Sequence, residues 1–464
     1  MLMMRTNIPR ILISGVKGKI GKTTITLGII KGLKEKGLRV QPFKIGPDFI
    51  DPSYHTLIAD RMSRNLDSIM FNDKTLIHSF INGSIGSDIA VVEGVLGLYD
   101  SPDGVSELGS SAQISKILKT PVILILDAER INRGLQAILQ GFLSYDKDVR
   151  IRGIILNNVA NQKQAEKIIN GIEQRFKNIE IVGSIMRDSE IEESMSYRHL
   201  GLIHIAERWQ EYERINNIAE RIKKQIDFKK IIEISKECEE LVCDCEEHNF
   251  PLFNIKVGII RDNVFSFYYP ENLEFFHKTT KKLYYIDSIN DTTLPDIDLL
   301  IIGGGFPEIY AEQLEKNKSL RNDIKFKVEK GLMVYSECGG LMYLTNKIRT
   351  FDGNEYHMIG LIDGSIEMIK KPVGHGYVHL KVIKNNPMSK IGTQIIGHEF
   401  HYSKLFLNER VSFAYKVTRG YGIDGSHDGI IKDNILASYT HIHVNHNPTL
   451  FYNLLKNVEQ KRQY

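Results

Sequence analysis

The stretch Gly15-Val16-Lys17-Gly18-Lys19-Ile20-Gly21-Lys22-Thr23-Thr24 constrains this chain most. It lies between an apolar run (Ile11, Leu12, Ile13) and a helical pattern of apolar residues (Ile25, Leu27, Ile29, Ile30, Leu33). That arrangement is a phosphate-binding loop joining a buried strand to a helix. Glycines let successive backbone N–H groups converge on an anion, and the helix start adds positive dipole. Lys22 is placed to reach the outer phosphates and Thr23 to offer its hydroxyl to Mg2+. The expected nucleotide-binding set is Gly18, Lys19, Gly21, Lys22, Thr23 and Thr24, with ATP as the ligand. Five residues separate Gly15 from Gly21 where the standard pattern has four, so the correctly placed Gly-Lys-Thr-Thr carries the reading. The structural alternative is a glycine turn that only closes a strand-helix corner.

Around this loop, strand-like runs alternate with helical patterns at Ile11–Ser14, Val40–Lys44, Ile89–Glu93, Val122–Asp127, Gly153–Asn157 and Ile181–Ser184. Such alternation predicts a mostly parallel sheet covered by helices, an α/β fold. From about Glu207 to Glu247 the sequence turns polar and helical with no strand candidate, and a domain junction is expected there. A second set then begins with Ile255–Arg261, Leu299–Ile302 and Met333–Tyr335 and ends in β-rich stretches at Tyr377–Ile383 and Leu436–His443. The expected division is 1–206, a helical polar linker over 207–253, and 254–464. The 60 basic residues nearly balance 57 acidic ones, which removes any general electrostatic case for nucleic acid or an anionic membrane. The N-terminal MLMMRTNIPR lacks the apolar centre of a signal peptide, no apolar run approaches a membrane span, and four cysteines make no disulfide framework. A cytoplasmic enzyme is the expectation.

Acidic groups gather where open α/β sheets bind ligands, at the carboxyl ends of strands. Lys44-Ile45-Gly46-Pro47-Asp48-Phe49-Ile50-Asp51-Pro52 follows the second strand, so Asp48 and Asp51 can serve Mg2+ or substrate, or can cap a helix. Glu93 ends another apolar strand, as a metal-assisting acid in a phosphate-loop enzyme should, and Leu98-Tyr99-Asp100 follows in its loop. Asn157 closes the fifth strand, where its amide can read an adenine edge or simply form a turn.

The second half carries separate chemistry. Val334-Tyr335-Ser336-Glu337-Cys338-Gly339-Gly340-Leu341-Met342 puts one cysteine between an apolar strand and a helix, with glycines permitting a sharp turn. That is a nucleophile elbow, and a histidine adjacent in space but distant in sequence completes such a centre. His441, after Ala437-Ser438-Tyr439-Thr440, is the expected partner, and the glycines of Gly303-Gly304-Gly305-Phe306-Pro307-Glu308, Gly304 and Gly305 above all, are expected to offer N–H groups to an oxyanion. Cys238, Cys243 and Cys245, with His248, cluster in the acidic 237–247 stretch; their spacing matches no standard zinc pairing, and they are expected to be exposed linker thiols.

With these stretches in this order, the chain resembles the cobyrinic acid a,c-diamide synthase family, glutamine-dependent amidoligases of tetrapyrrole biosynthesis. The matching stretches, in family order, are Gly21–Thr24, Gln41–His55, Ser63–Ser68, Val91–Asp100, Phe267–Glu274, Gly303–Glu308, Glu337–Leu344 and Gly397–Ser403. The resemblance implies an N-terminal P-loop NTPase domain similar to dethiobiotin synthetase, joined to a C-terminal class I glutamine amidotransferase domain. It implies that Cys338 and His441 release ammonia from glutamine, and that ATP with Mg2+ activates carboxylates a and c of a tetrapyrrole as acyl phosphates. By matching, Thr23, Asp48 and Glu93 are the Mg2+ candidates, and Asp51, Tyr54, His55 and Asp100 the substrate candidates. His398 and His401 are expected to face the substrate as hydrogen-bonding walls. The partners are then glutamine and a carboxylated tetrapyrrole, cobyrinate or Ni-sirohydrochlorin, with a homodimer as the candidate assembly. Two features depart from the pattern of many class I amidotransferases: His443 stands where an acid follows the catalytic histidine, so orientation of His441 must come from elsewhere, and Ser336 stands where many elbows carry glycine. Lys17 also resembles the first lysine of partitioning ATPases, a nucleotide-switch alternative that leaves Cys338 and His441 idle. A relative of the cobyric acid synthase type is the other alternative.

Overall fold

The computed structural model describes residues 2–190, 208–245 and 250–462, which form two compact units. In the first, β1 (Leu2–Thr6), β2 (Arg10–Gly15), β3 (Val40–Ile45), β4 (Arg64–Leu66), β5 (Ile89–Glu93), β6 (Val122–Asp127), β7 (Ile151–Val159), β8 (Glu180–Met186) and β9 (Leu241–Cys245) follow in order. Seven of them make one parallel sheet in the order β4-β3-β5-β2-β6-β7-β8. Both faces are covered, which is why β2 and β5 are buried along their whole length. The pleat sorts neighbours to opposite sides: Leu12 of β2 joins the core under the Asp73–Ser84, Gly134–Tyr145 and Gln162–Arg175 helices, while Ile11 and Ile13 join that under the Lys22–Glu35 and Ile50–Ala59 helices.

The polar stretch read as a linker belongs to this unit. Ile215, Ile218, Ala219 and Ile222 form an apolar stripe at helical spacing on the Arg208–Lys223 helix, and Ile231 and Ile234 continue it on Phe228–Ser235; all six are buried in the same core as Ile11 and Ile13. Lys31 pairs with Glu220 at 2.9 Å, and β9 pairs antiparallel with β1, a strand in a region where composition suggested none. Charged residues on the outer faces of these helices outnumber the stripe and masked it. Two of the cysteines there are not exposed thiols: Cys238 is half-buried with Sγ 3.3 Å from the Ile8 carbonyl, and Cys243 is buried and disulfide-bonded. His248 lies outside the described residues.

The second unit continues with β10 (Phe253–Ile260), β11 (Thr280–Ile286), β12 (Leu299–Ile302), β13 (Met333–Glu337), β14 (Thr345–Arg349), β15 (Glu355–His357), β16 (Ile362–Met368), β17 (Gly374–Val382), β18 (Gln394–His401), β19 (Ser403–Leu407), β20 (Ser412–Arg419), β21 (His427–Lys432) and β22 (Ile435–Ser438). A nine-stranded sheet runs β11-β10-β12-β13-β22-β21-β20-β17-β18, parallel from β11 to β22 and antiparallel beyond, and β15-β14-β16-β19 form a smaller sheet. Helices Pro270–Thr279 and Pro448–Arg462 cover one face of the large sheet; Lys318–Glu329 and Gly339–Leu344 cover the other. The last strand stops at Ser438, short of His441.

Tight helix packing tests the assignment of 208–235 to the first unit. A side chain at Gly28 would meet Ile222 Cγ2 at 2.4 Å, so Gly28→Val is expected to destabilise the protein by about 1–3 kcal/mol in thermal unfolding, with part of the loss restored by Ile222→Ala in the double variant.

Candidate active sites

In the first unit the phosphate-binding loop bends through Lys19 (φ 54°) and Gly21 (φ 84°), and the Lys22–Glu35 helix begins at once. The Asn157 side-chain N–H donates to the Ile20 carbonyl at 3.0 Å and its Nδ2 lies 2.7 Å from where a Gly21 Cβ would stand, so Asn157 props the loop. Lys22 donates to the Leu96 carbonyl, in the loop after β5. Burial, reinforced by Lys44, lowers its pKa to about 8. Lys17 is exposed and pairs with Asp127 at 2.9 Å.

The carboxyl ends of β3 and β5 bring together Thr23, Lys44, Asp51, His55 and Glu93. The Thr23 hydroxyl reaches Glu93 Oε1 at 2.6 Å and Asp51 Oδ2 at 3.1 Å; Lys44 Nζ donates to both acids at 2.7 Å. Behind them His55 Nε2 donates to Glu93 Oε2 at 2.6 Å, and its Nδ1 lies 3.4 Å from Ser63 Oγ. Glu93 and His55 have no solvent exposure. Burial works against both charges, yet Lys44 and His55 hold Glu93 well below the usual carboxylate range, while Asp51 and Glu93 hold Lys44 well above its ordinary value.

These contacts bear on the sequence expectations for Asp48, Tyr54 and His55. Asp48, placed in the metal set, turns its Oδ1 to the N–H groups of Ile50 and Asp51 at 2.8 and 3.2 Å, capping the Ile50–Ala59 helix; burial and Asp51 raise its pKa to about 6. Asp51 takes its place beside Thr23. His55 is a support for Glu93 and Tyr54 is buried in the core, so neither lines a substrate surface. Asp100 is exposed, with Oδ2 accepting from the Gly97 N–H at 2.8 Å. Lys44 was missed as a site residue, although it stands in the stretch that drew attention to Asp48 and Asp51.

In the second unit Cys338 follows β13 with φ 47° and ψ −103°, a conformation that costs an ordinary residue on the order of 1–3 kcal/mol and that the surroundings enforce. Its N–H donates to Ser438 O at 2.7 Å across the parallel β13-β22 pair. A Gly340 Cβ would lie 2.3 Å from the Ile302 carbonyl, so the turn can close only on glycine. His441 bonds to Cys338; burial pulls its pKa down, but the bonds to Cys338 and Glu337 lift it to about 10. Both main-chain bonds of His441 go to His398, at 2.8 and 3.0 Å. Asp428, fully buried, accepts from the N–H groups of Tyr439 and Thr440 and from the Thr440 hydroxyl, fixing the chain just ahead of His441; the Asn272 amide fixes it just after, through Ile442 O and Val444 N. Gly304 packs on the His441 ring, with Cε1 2.4 Å from where its Cβ would be. The Gly305 nitrogen lies 3.1 Å from the equivalent point of Gly339, which sets a backbone N–H beside the elbow.

His398 and His401 are buried in this framework. His401 stacks on Tyr439 with ring centroids 3.8 Å apart and donates to Ser403 O, and burial keeps His398 neutral.

A phosphate-binding loop with a carboxylate cluster on one parallel sheet, and a cysteine-histidine elbow on another, define an ATP-using synthetase unit and a glutamine amidotransferase unit. Residues 11–200 match the CobQ/CobB/MinD/ParA nucleotide binding domain and residues 256–449 the CobB/CobQ-like glutamine amidotransferase domain. The chain is 43% identical to the cobyrinate a,c-diamide synthase of Archaeoglobus fulgidus, covering 96% of each chain. It is 38% identical to that of Methanosarcina acetivorans, over 94% of this chain and 93% of the relative, and 38% identical to that of Methanocaldococcus jannaschii, over 95% and 97%. It belongs to the cobyrinate a,c-diamide synthase family, and is a glutamine-dependent amidating ligase. Among the described residues no helix is long and apolar enough to cross a membrane.

The ion cluster yields a pH-dependent stability. Glu93 has a folded pKa below the ordinary 4.5, so its contribution is complete above that value and is lost as the pH falls through the lower folded one. Lys44→Met strands the buried Glu93 beside the partly buried Asp51, so at pH 8 it should destabilise the protein by about 3 kcal/mol in urea unfolding. Glu93 in that variant is expected to titrate higher when folded, making the deficit shrink as the pH falls.

Proposed function

We propose that this protein amidates the a and c acetate carboxylates of a tetrapyrrole, cobyrinate or Ni-sirohydrochlorin, using ATP and ammonia that it draws from glutamine. The observation that carries the reading is His441 set against Cys338 on a strained elbow, in a chain that also builds a phosphate-binding loop. The thiolate attacks the side-chain carbonyl of glutamine, forming a C–S bond. The oxyanion is held by backbone N–H groups at Gly304 and Gly305. As the tetrahedral adduct collapses the C–N bond breaks, His441 gives its proton to the leaving nitrogen, and ammonia departs. Water then hydrolyses the thioester to glutamate and restores the thiol.

In the synthetase unit, the backbone of Gly18 to Thr24 cradles ATP, and Lys22, released from Leu96, moves to the outer phosphates. Thr23, Asp51 and Glu93 offer hard oxygen donors in one small volume, and the Lys44 ammonium bridging the two acids marks that volume as one that holds a cation. Bound there, Mg2+ would offset the charge of the phosphates. The substrate carboxylate attacks the γ-phosphorus with ADP leaving, and ammonia displaces phosphate from the acyl phosphate to give the amide. Tight charge pairing around Lys44 is what a site that gathers several anions needs.

Two experiments bear on this reading. Cys338→Ala should abolish turnover with glutamine and retain it with ammonium, while Glu93→Gln should lose both, followed by product mass in the presence of ATP and Mg2+. Amidation of cobyrinate alone, of Ni-sirohydrochlorin alone, or of both assigns the substrate; ATP hydrolysis without amidation of either would instead favour the nucleotide-switch reading.

A further inference from the structure

Class I glutaminase centres need a group that holds the catalytic imidazole in the right orientation and tautomer. Here the position two residues after His441 is His443, and its side chain is engaged elsewhere, with Nε2 3.4 Å from Glu271 and the ring centroid 4.4 Å from that of Tyr269. The carboxylate that does face His441 comes from the residue immediately before the nucleophile. Glu337 is 6% exposed, and its Oε2 lies 3.5 Å from His441 Nδ1. Its other oxygen, Oε1, accepts from the Tyr335 hydroxyl at 2.5 Å and from the Ile442 N–H at 3.1 Å, the amide next to His441.

Building on the glutaminase reading above, we propose that Glu337 is the positioning residue of this centre: it holds the His441 ring through Nδ1 and stabilises its protonated form, leaving Nε2 for the thiol. The division of labour between its oxygens supports this. Tyr335 and Ile442 lock Oε1, which fixes the plane of the carboxylate and aims Oε2 at the imidazole. The nucleophile and the group that orients its partner are therefore consecutive in sequence and share the end of β13. The other titratable group against His441, His398 of β18, has its ring centroid 6.3 Å away and is kept neutral by burial, so it supplies no competing charge. Asp428 of β21 reaches only the main chain of Tyr439 and Thr440 and the Thr440 hydroxyl in this segment. Tyr335 of β13 acts through Glu337.

Glu337→Gln tests the proposal because it keeps the shape and an oxygen for Tyr335 and Ile442 while removing the charge. Glutaminase kcat should fall by about 100-fold with little change in KM for glutamine. Alkylation of Cys338 by iodoacetamide, quantified on its peptide by mass, supplies the readout that a structural role would not move. Glu337→Gln takes away the charge that favours imidazolium beside the thiol, so alkylation at pH 7 should slow about tenfold, with its pH midpoint displaced upward. Tyr335→Phe, which removes one scaffold bond and keeps the charge, should leave the midpoint in place. An unchanged midpoint in Glu337→Gln, whatever happens to kcat, would overturn the proposal. Alkylation needs no tetrapyrrole, so failure of the substrate assignment leaves this test intact, whereas a wild type that hydrolyses no glutamine would sink the glutaminase reading itself.

Discussion

A carboxylate with no access to water, Glu93, organises the catalytic end of the first unit. Left alone, such a charge would be expelled or neutralised. Here Thr23, Lys44 and His55 each bond it, so the phosphate-binding loop, the end of β3 and the Ile50–Ala59 helix are all tied to the end of β5. Because each partner comes from a different connection, the cluster can form only when the parallel sheet is in register. The fold thus holds the end of the phosphate-binding loop through this ion set.

The second unit solves a similar problem with neutral donors. His441 lies beyond the last residue of β22, where no ladder holds it, and its position is set instead by Asp428 ahead of it, Asn272 after it and the paired main chain of His398 beside it. Around the elbow, small residues are a matter of volume: Gly304 makes room for the imidazole and Gly340 for the Ile302 carbonyl. The strain at Cys338 persists because the bond from its N–H to Ser438 and the packing of the short helix leave no relaxed alternative.

The resemblance carried by motif order and the period-two and period-three-to-four patterns made the two sheets, the loop and the adjacency of Cys338 and His441 legible from sequence. The sequence left roles open where a residue type fits two of them. Asp48 and Asp51 are both acids before a helix, and only the turn between them decides that Asp48 caps while Asp51 reaches Thr23. His398 and His401 carry the polarity of a binding wall, but their neighbours bury them. The 208–235 helices hid a buried stripe under abundant charge, and averaging over composition loses a signal that spacing retains.

Sequence by itself determined which groups are present and their order along the chain: a glycine-rich loop with lysine and threonine, acids after apolar strands, a cysteine between strand and helix. These are local properties, written in residue type and period. Tertiary structure alone decided which charges meet. Lys44 between Asp51 and Glu93, and Glu337 beside His441, depend on strands adjacent in the sheet yet far apart in the chain, and on burial that makes a charge viable only with its partner in place.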